Sequence, residues 1–240
     1  AIFTVAGAGD NILSSAAVYG GTYNLFSTTL PKLGIECRFF DPDAPAAEIE
    51  KLIDSKTKMI FTETVANPAI VVLDFDKIAK IAKKHGVLFA VDNTLATPVL
   101  CRPKQWGANI IIHSSSKYLD GHAAALGGVI VDAGNFCFKG NERYLSFNEP
   151  DESYHGLVYA DLPVAFGTKC RAQMIRDFGA IMSPQNGFIS YIGCDTLALR
   201  MARHSSNAQK VAAYLKKHPK IEWINHPSLK DDKYYKLAQK

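Results

Sequence analysis

The hydrophobic residues of the chain fall into short, nearly continuous runs, separated by longer segments in which apolar residues recur at helical spacing. Runs of this kind are typical of strands buried on both faces, and the spacing is typical of amphipathic helices. Strands are predicted at residues 11–17, 35–40, 59–63, 87–91, 109–112 and 126–131. Because helices alternate with these strands, the sequence predicts an α/β domain with a mostly parallel sheet sandwiched by helices.

The helical pattern is clearest after Asp74 and changes towards the C-terminal end of the chain. Phe75, Ile78 and Ile81 follow one another at helical spacing, and Gly86 is expected to end that helix. Further helices are predicted at residues 46–54, 168–179 and 187–217, and one more strand at 221–225. A Ser-Pro pair interrupts the pattern before residue 185. The sequence therefore predicts a large domain at 1–184 and part of a smaller α+β domain at 185–240.

Composition and charge argue against several classes of protein. The formal net charge is only +4 and no basic run is interleaved with aromatic residues, so a nucleic-acid-binding protein is not expected. No apolar run approaches the roughly 20 residues of a membrane span, and no signal peptide opens the chain. The five cysteines show no spacing typical of a metal site, which favours a cytoplasmic protein with reduced cysteines and no bound metal.

Polar residues follow directly after several of the predicted strands. Asn67, Asp92 and the Ser114–Lys117 cluster each come just past the end of a separate strand, and Tyr19 stands at a strand-to-helix corner. Taken singly, each has an ordinary interpretation, because Asn before Pro is a common turn residue and Asp often caps a helix. Since the carboxyl ends of parallel strands meet at one edge, where ligands bind in open α/β sheets, their coincidence favours a site.

A lysine amine facing a carboxylate is the arrangement that pyridoxal phosphate requires of a protein. Lys117 would form the Schiff base, Asp92 would keep the ring nitrogen protonated, Tyr19 could stack on the ring, and Ser114 and Ser116 could bind the phosphate. The same segment also matches Ser-x-x-Lys, the nucleophile motif of penicillin-binding enzymes. However, neither of the companion motifs, Ser-Asp-Asn and Lys-Thr-Gly, occurs in the chain.

Four segments together resemble the successive motifs of the Cys/Met-metabolism pyridoxal-phosphate enzymes. They are Tyr-Gly-Gly-Thr at 19–22, Glu-Thr-Val-Ala-Asn-Pro at 63–68, Val-Asp-Asn-Thr at 91–94, and Ser-Ser-Ser-Lys-Tyr-Leu-Asp-Gly-His at 114–122. The family includes cystathionine γ-synthase, the cystathionine lyases, methionine γ-lyase and the O-acetylhomoserine sulfhydrylases. The resemblance implies the large domain of a fold-type-I pyridoxal-phosphate transferase.

The resemblance also implies a role for each matching residue. Lys117 is expected to be the Schiff-base lysine and to move protons between substrate carbons, while Asp92 pairs with the pyridine nitrogen. Tyr19 is expected to stack on the ring and to act in proton transfer, and Asn67 to contact the 3-oxygen of the ring. Ser114 and Ser116 are expected to bind the phosphate; Ser116 stands where the family often has threonine.

Within the family, residues 149–156 and 197–204 look most like the O-acetylhomoserine sulfhydrylase branch. This implies γ-replacement on O-acetyl-L-homoserine by sulfide or a thiol, giving homocysteine or methionine and acetate. Gln185 and Gly187 depart from the common pattern of that branch, and Gly21 stands where many methionine γ-lyases have cysteine. Cystathionine γ-synthase activity, a lyase activity and a non-catalytic cofactor-binding relative are the alternatives.

Three parts of the family's site have no counterpart in the sequence. They are the glycine-containing phosphate loop, a Tyr/Arg segment from a neighbouring subunit, and the arginine that binds the substrate carboxylate. Because the chain has no initiator methionine, we expect it to be part of a longer protein. The resemblance implies a homotetramer, built as a dimer of dimers that share active sites, whose partners are an amino-acid substrate and a sulfur donor.

Overall fold

The computed structural model describes all residues from Ala1 to Lys240 and contains one six-stranded sheet. Its strands are β1 (Asn11–Ser15), β2 (Glu36–Phe40), β3 (Thr57–Glu63), β4 (Leu88–Asp92), β5 (Ile110–Ser114) and β6 (Gly128–Asp132). The strand order is β2-β1-β3-β4-β5-β6. Neighbouring strands from β2 to β5 run parallel, and β6 pairs antiparallel with β5. The predicted mostly parallel sheet is confirmed.

The sheet is buried on both faces because consecutive apolar residues of its central strands point in opposite directions. In β1, Ile12 packs into one core cluster and Leu13 into the other. In the same way, Phe61 and Ile60 of β3 lie on opposite faces, and both are buried. This arrangement explains why these strands read as continuous apolar runs. The edge strand β6 differs, since the side chains from Val129 to Val131 remain 39–45% exposed.

The helices lie between and after the strands. They are α1 (Ile2–Val5), α2 (Gly20–Asn24), α3 (Leu30–Lys32), α4 (Ala46–Glu50), α5 (Phe75–His85), α6 (Thr97–Leu100), α7 (Leu145–Asn148), α8 (Ala165–Lys169), α9 (Arg176–Phe178), α10 (Pro184–Asp195), α11 (Leu197–Leu215) and α12 (Tyr235–Ala238). Wider π-type turns occur at Leu25–Thr29, Ser115–Leu119 and Cys170–Ile175. Short 3-10 turns occur at Pro103–Trp106, Glu142–Tyr144, Glu152–Tyr154 and Tyr159–Asp161. No helix combines the length and apolar character needed to cross a membrane.

Helix α5 forms as its sequence predicts. The carboxylate of Asp74 accepts a hydrogen bond from the backbone N–H of Lys77 at 3.1 Å, which caps the first turn. Ile78 and Ile81 are buried against the sheet, and the lysines lie on other faces. Gly86 ends the helix with φ +61°, a left-handed conformation that favours glycine.

Three details of the predicted secondary structure are wrong. The long helix expected at 187–217 is two helices, because Thr196 has φ −103° and ψ 2° between α10 and α11. Helix α10 begins at Pro184, and the Ser183 hydroxyl caps it by accepting a hydrogen bond from the Asn186 N–H. The helix expected at 46–54 ends at Glu50, and residues 221–225 form no strand because no other segment pairs with them. The division into domains at 1–184 and 185–240 remains a prediction.

Candidate active site

The sheet topology brings the predicted site segments to one edge. Strands β1, β3, β4 and β5 are consecutive neighbours and run in the same direction, so their carboxyl ends lie side by side. In register, Glu63 at the end of β3 pairs with Asp92 at the end of β4. The turns that carry Tyr19, Asn67 and Lys117 leave the sheet along this same edge. Their functional roles remain predictions, which the local geometry supports as follows.

Lys117 lies in the turn at Ser115–Leu119, which follows β5 without a break. Its backbone angles of φ −97° and ψ −121° depart from helical values, so the turn bends at the lysine. The backbone is nevertheless fixed on both sides, because Ser115 donates to the Gly127 carbonyl at 3.0 Å and Gly121 donates to the Lys117 carbonyl at 2.8 Å. The side chain of Lys117 is exposed. The result is a lysine on a turn held by backbone hydrogen bonds at the carboxyl edge of the sheet.

Asp92 is half-buried and connected to the lysine segment through Thr94. Its Oδ1 accepts hydrogen bonds from the backbone N–H and the hydroxyl of Thr94. The Thr94 Oγ1 in turn accepts from the backbone N–H of Ser114 at 2.8 Å. Both interactions of Asp92 use the same oxygen, which leaves Oδ2 available for an external partner. Thr94 is a functional candidate that the sequence analysis did not identify.

His113 lies on β5, close to Asp92. It is buried, and its Nδ1 has no hydrogen-bond partner within the chain. Burial lowers the pKa of His113, and the nearby Asp92 carboxylate only partly opposes this effect. The imidazole is therefore expected to be neutral around pH 7.

The serines before Lys117 supply hydroxyl groups of different kinds. The hydroxyl of Ser114 does not cap the turn that follows it. The Ser116 Oγ accepts a hydrogen bond from the Gly127 N–H at 3.0 Å, which leaves its own proton free for donation. Ser115 is almost fully buried and its Oγ has no partner. Two hydroxyls beside a lysine form a donor set suited to an anion such as phosphate.

Tyr19 projects from the corner between β1 and α2. Its side chain is 54% exposed, so one face of the ring is open. The ring folds over Gly21 so closely that a Cβ built at Gly21 would lie 2.6 Å from the Tyr19 Cε1. Glycine at position 21 therefore permits this ring orientation, as the close approach of ring to backbone requires.

Glu63 is the clearest residue that the sequence analysis missed. It is only 8% exposed, and its carboxylate binds the two turns on either side of it. Oε1 accepts from the Tyr19 N–H at 2.7 Å and Oε2 accepts from the Asn67 N–H at 3.3 Å. Burial, with a smaller contribution from the charge of Asp92, raises the pKa of Glu63 to about 7, although the two N–H groups oppose this. Its place at the end of an apolar strand was the available signal.

Asn67 leads into a cis peptide bond with Pro68. Its side chain is exposed, and its backbone N–H is the group that Glu63 holds. The amide side chain is therefore free to donate to a ligand at this edge. In sum, an amine, a partly unpaired carboxylate, hydroxyls, an amide and an open aromatic face share one edge. These groups fit pyridoxal phosphate, so fold and site define a pyridoxal-phosphate-binding protein of the α/β class.

Comparison with known proteins leads to the same class. Residues 1–240 match the model of the family described as Cys/Met metabolism PLP-dependent enzyme, and the chain belongs to this family. It is 43% identical over 250 residues to an O-acetyl-L-homoserine sulfhydrylase of Leptospira meyeri, and 44% identical over 244 residues to a homocysteine synthase of Schizosaccharomyces pombe. These alignments cover 100% of the chain but 56% and 57% of the two relatives. The chain thus spans little more than half of their length.

Solved structures confirm the predicted fold. A Campylobacter jejuni protein assigned as O-acetylhomoserine (thiol)-lyase superposes with a TM-score of 0.94 at 43% identity, covering 99% of the chain and 58% of that protein. That structure contains N′-pyridoxyl-lysine-5′-monophosphate, in which the cofactor is joined to a lysine. The O-acetylhomoserine sulfhydrylase of Wolinella succinogenes gives a TM-score of 0.87 at 34% identity, covering 99% of the chain and 66% of that protein.

Proposed function

We propose that the protein replaces the acetoxy group on the γ-carbon of O-acetyl-L-homoserine with the sulfur of sulfide or a thiol. The products are homocysteine or methionine, together with acetate. The observation that supports the proposal is the turn of Lys117 at the carboxyl edge of the sheet, where Ser114, the residue that precedes the turn, is joined through Thr94 to Asp92 by hydrogen bonds. The names of the similar proteins support the choice of substrate.

Different residues at this edge have different proposed roles, some in binding the cofactor and others in proton transfer. When bound, pyridoxal phosphate supplies an electron sink for charge that develops at the substrate's α-carbon. Asp92 would offer its free oxygen to the ring nitrogen, and Tyr19 would offer its open face to the ring. Ser114 and Ser116 would donate to the phosphate, and Asn67 would donate to the ring's 3-oxygen.

Lys117 acts both as an anchor and as a base. Its amine would hold the cofactor, which supplies the electron sink, until the substrate's amino group displaces it. The freed amine would take the proton from the substrate's α-carbon and release it, and in its neutral form would then take a proton from the β-carbon as acetate leaves from the γ-carbon. Sulfide or a thiol adds at that carbon, and the protons return to the carbons from which they came. Tyr19 is placed to assist these transfers.

We further propose that the protein works in the cytoplasm as a homotetramer whose subunits share active sites. All five cysteines are free, which supports a reducing compartment. Large apolar side chains at and beside α9 and α10 are exposed, with Phe178 at 69%, Ile181 at 70% and Tyr191 at 70%. Surfaces of this kind favour contact with another protein surface. Light scattering on the purified protein measures the assembly directly.

The first experiment is borohydride reduction of the protein, expressed with any sequence that flanks it in its gene and loaded with pyridoxal phosphate. A visible absorbance lost on reduction, with the pyridoxyl group found on the Lys117 peptide, supports the cofactor role. We expect Lys117→Ala to lose this label. Lys104→Ala, at another exposed lysine, is the matched control and is expected to keep it. A colourless protein without label on Lys117 contradicts the proposal.

The second experiment tests the reaction. We expect O-acetyl-L-homoserine to be consumed only when sulfide or a thiol is present, with one acetate released for each thioether or thiol formed. Release of ammonia and a 2-oxo acid without a sulfur donor would instead indicate a lyase. Binding of cofactor with no turnover of any of these substrates would indicate a non-catalytic relative.

A further inference from the structure

Arg200 connects the lysine turn to the helices that follow it. The residue lies in the first turn of α11 and is half-buried. Its guanidinium makes hydrogen bonds to three backbone carbonyls. Nη1 donates to Tyr118 at 2.7 Å, and Nη2 donates to Gly193 at 2.6 Å and to Leu119 at 3.4 Å. Nε donates to the Thr196 hydroxyl at 3.0 Å.

The bonded carbonyls have few other ways to be satisfied. Tyr118 and Leu119 immediately follow Lys117, in a turn that departs from helical geometry at the lysine itself. Gly193 lies in the last turn of α10, where carbonyl groups lack helical partners. A guanidinium presents several N–H donors in one rigid plane, whereas a lysine ammonium is a compact charge on a flexible stem. Arginine is therefore suited to bind all three carbonyls at once.

Two glycines allow this contact to be close. A Cβ built at Gly193 would lie 2.3 Å from the Asp120 carbonyl oxygen and 2.5 Å from that of Leu119. A Cβ at Gly121 would lie 2.7 Å from the Arg200 Cζ. Helix α10 thus meets the lysine turn backbone against backbone, which a side chain at either position would prevent. One turn further along α11, the ring of His204 lies 5.2 Å from that of Tyr118.

The geometry points to Arg200 as a positioning residue, which holds the turn after Lys117 so that the lysine amine keeps one orientation towards the cofactor. The backbone departs from helical geometry at Lys117. Two backbone hydrogen bonds hold the bend, from Asp120 to Ser115 and from Gly121 to Lys117, and contacts made from outside add to what fixes its orientation. Arg200 supplies these from a helix that takes no other part in the proposed chemistry. The inference rests on the proposed role of Lys117.

The test compares Arg200→Lys and Arg200→Ala with Arg203→Ala in the protein loaded with pyridoxal phosphate. Arg203 is exposed on the same helix and its side chain makes no hydrogen bond within the chain, so it controls for the loss of one positive charge. We expect both Arg200 variants to attach the cofactor to Lys117 about tenfold more slowly or worse, as the loss of charge-assisted hydrogen bonds implies. Borohydride trapping at timed intervals, with peptide mapping, measures this rate.

Rescue distinguishes positioning from mere stability. We expect free guanidinium at non-denaturing concentration to restore the attachment rate of Arg200→Ala but not to alter that of Arg203→Ala. Thr196→Val, which removes the Nε acceptor and the hydroxyl that donates to the Gly193 carbonyl but leaves Arg200 in place, serves as a milder variant if Arg200→Ala does not fold. Attachment at the unsubstituted rate in folded Arg200→Lys or Thr196→Val overturns this inference alone. Failure of the unsubstituted protein to label Lys117 overturns the proposed function instead.

Discussion

Glu63→Gln offers the most quantitative test of the site's electrostatics. In the folded protein the carboxylate is buried beside Asp92, and its only partners are the backbone N–H groups of Tyr19 and Asn67. Glutamine has nearly the same shape and keeps one acceptor oxygen, but it carries no charge. The substitution therefore removes a buried charge. Of the two hydrogen bonds it loses only the one from Asn67, because the glutamine amide presents an N–H to that backbone N–H instead of an oxygen.

The magnitude follows from the pKa of Glu63. Raising it from 4.5 to about 7 makes ionisation in the folded state about 3 kcal/mol less favourable than in the unfolded chain. Below pH 4.5 Glu63 is protonated in both the folded and the unfolded protein, so its ionisation does not change the free energy of unfolding. Between pH 4.5 and pH 7 the folded protein keeps a proton that the unfolded chain has already released, so stability falls as the pH rises through this window and stays constant above it. Loss of the Asn67 hydrogen bond adds an offset of about 1 kcal/mol that hardly depends on pH.

Urea denaturation of the cofactor-free protein at pH 5 and pH 8 measures this effect. We expect the free energy of unfolding of Glu63→Gln, relative to the unsubstituted protein, to increase by about 2 to 3 kcal/mol between the two pH values. Glu152→Gln at the surface controls for the change of net charge. If the difference between the two proteins is the same at pH 5 and pH 8, the account of Glu63 as a buried carboxyl with a raised pKa is wrong.

Two further substitutions test other contacts at this edge. Gly21→Ala places a methyl group 2.6 Å from the Tyr19 ring. We expect the ring to rotate away and the affinity for the cofactor to fall about tenfold. The melting temperature is expected to change little, because the ring is exposed and can move. Unchanged affinity in an absorbance titration contradicts the stacking role. Thr94→Val removes the hydroxyl between Asp92 and Ser114. We expect it to lower stability by about 1–3 kcal/mol and to reduce turnover, whereas Thr94→Ser retains both; equal loss in the two variants refutes the hydrogen-bond account.

Local sequence patterns determined much of the architecture. The strand that leads to Lys117 was predictable because it contains three consecutive isoleucines. Helix α5 was predictable because its periodic apolar face lies between an Asp cap and a terminal glycine. The position of the site was predictable for the same reason. Polar residues that directly follow apolar runs must lie at a strand end, whatever the order of the strands in the sheet.

The order β2-β1-β3-β4-β5-β6, and every contact between distant segments, was decided only by the tertiary structure. Glu63 binds a turn 44 residues away, and Arg200 reaches Tyr118 across 82 residues. The place of Glu63 at the end of an apolar run hints at burial, but the partners of both residues are backbone groups with no sequence signature. The sequence by itself thus determined which groups lie at this edge of the sheet, because they follow strands. The fold alone determined which residues hold those groups in place, because such contacts depend on packing rather than on neighbours in the chain.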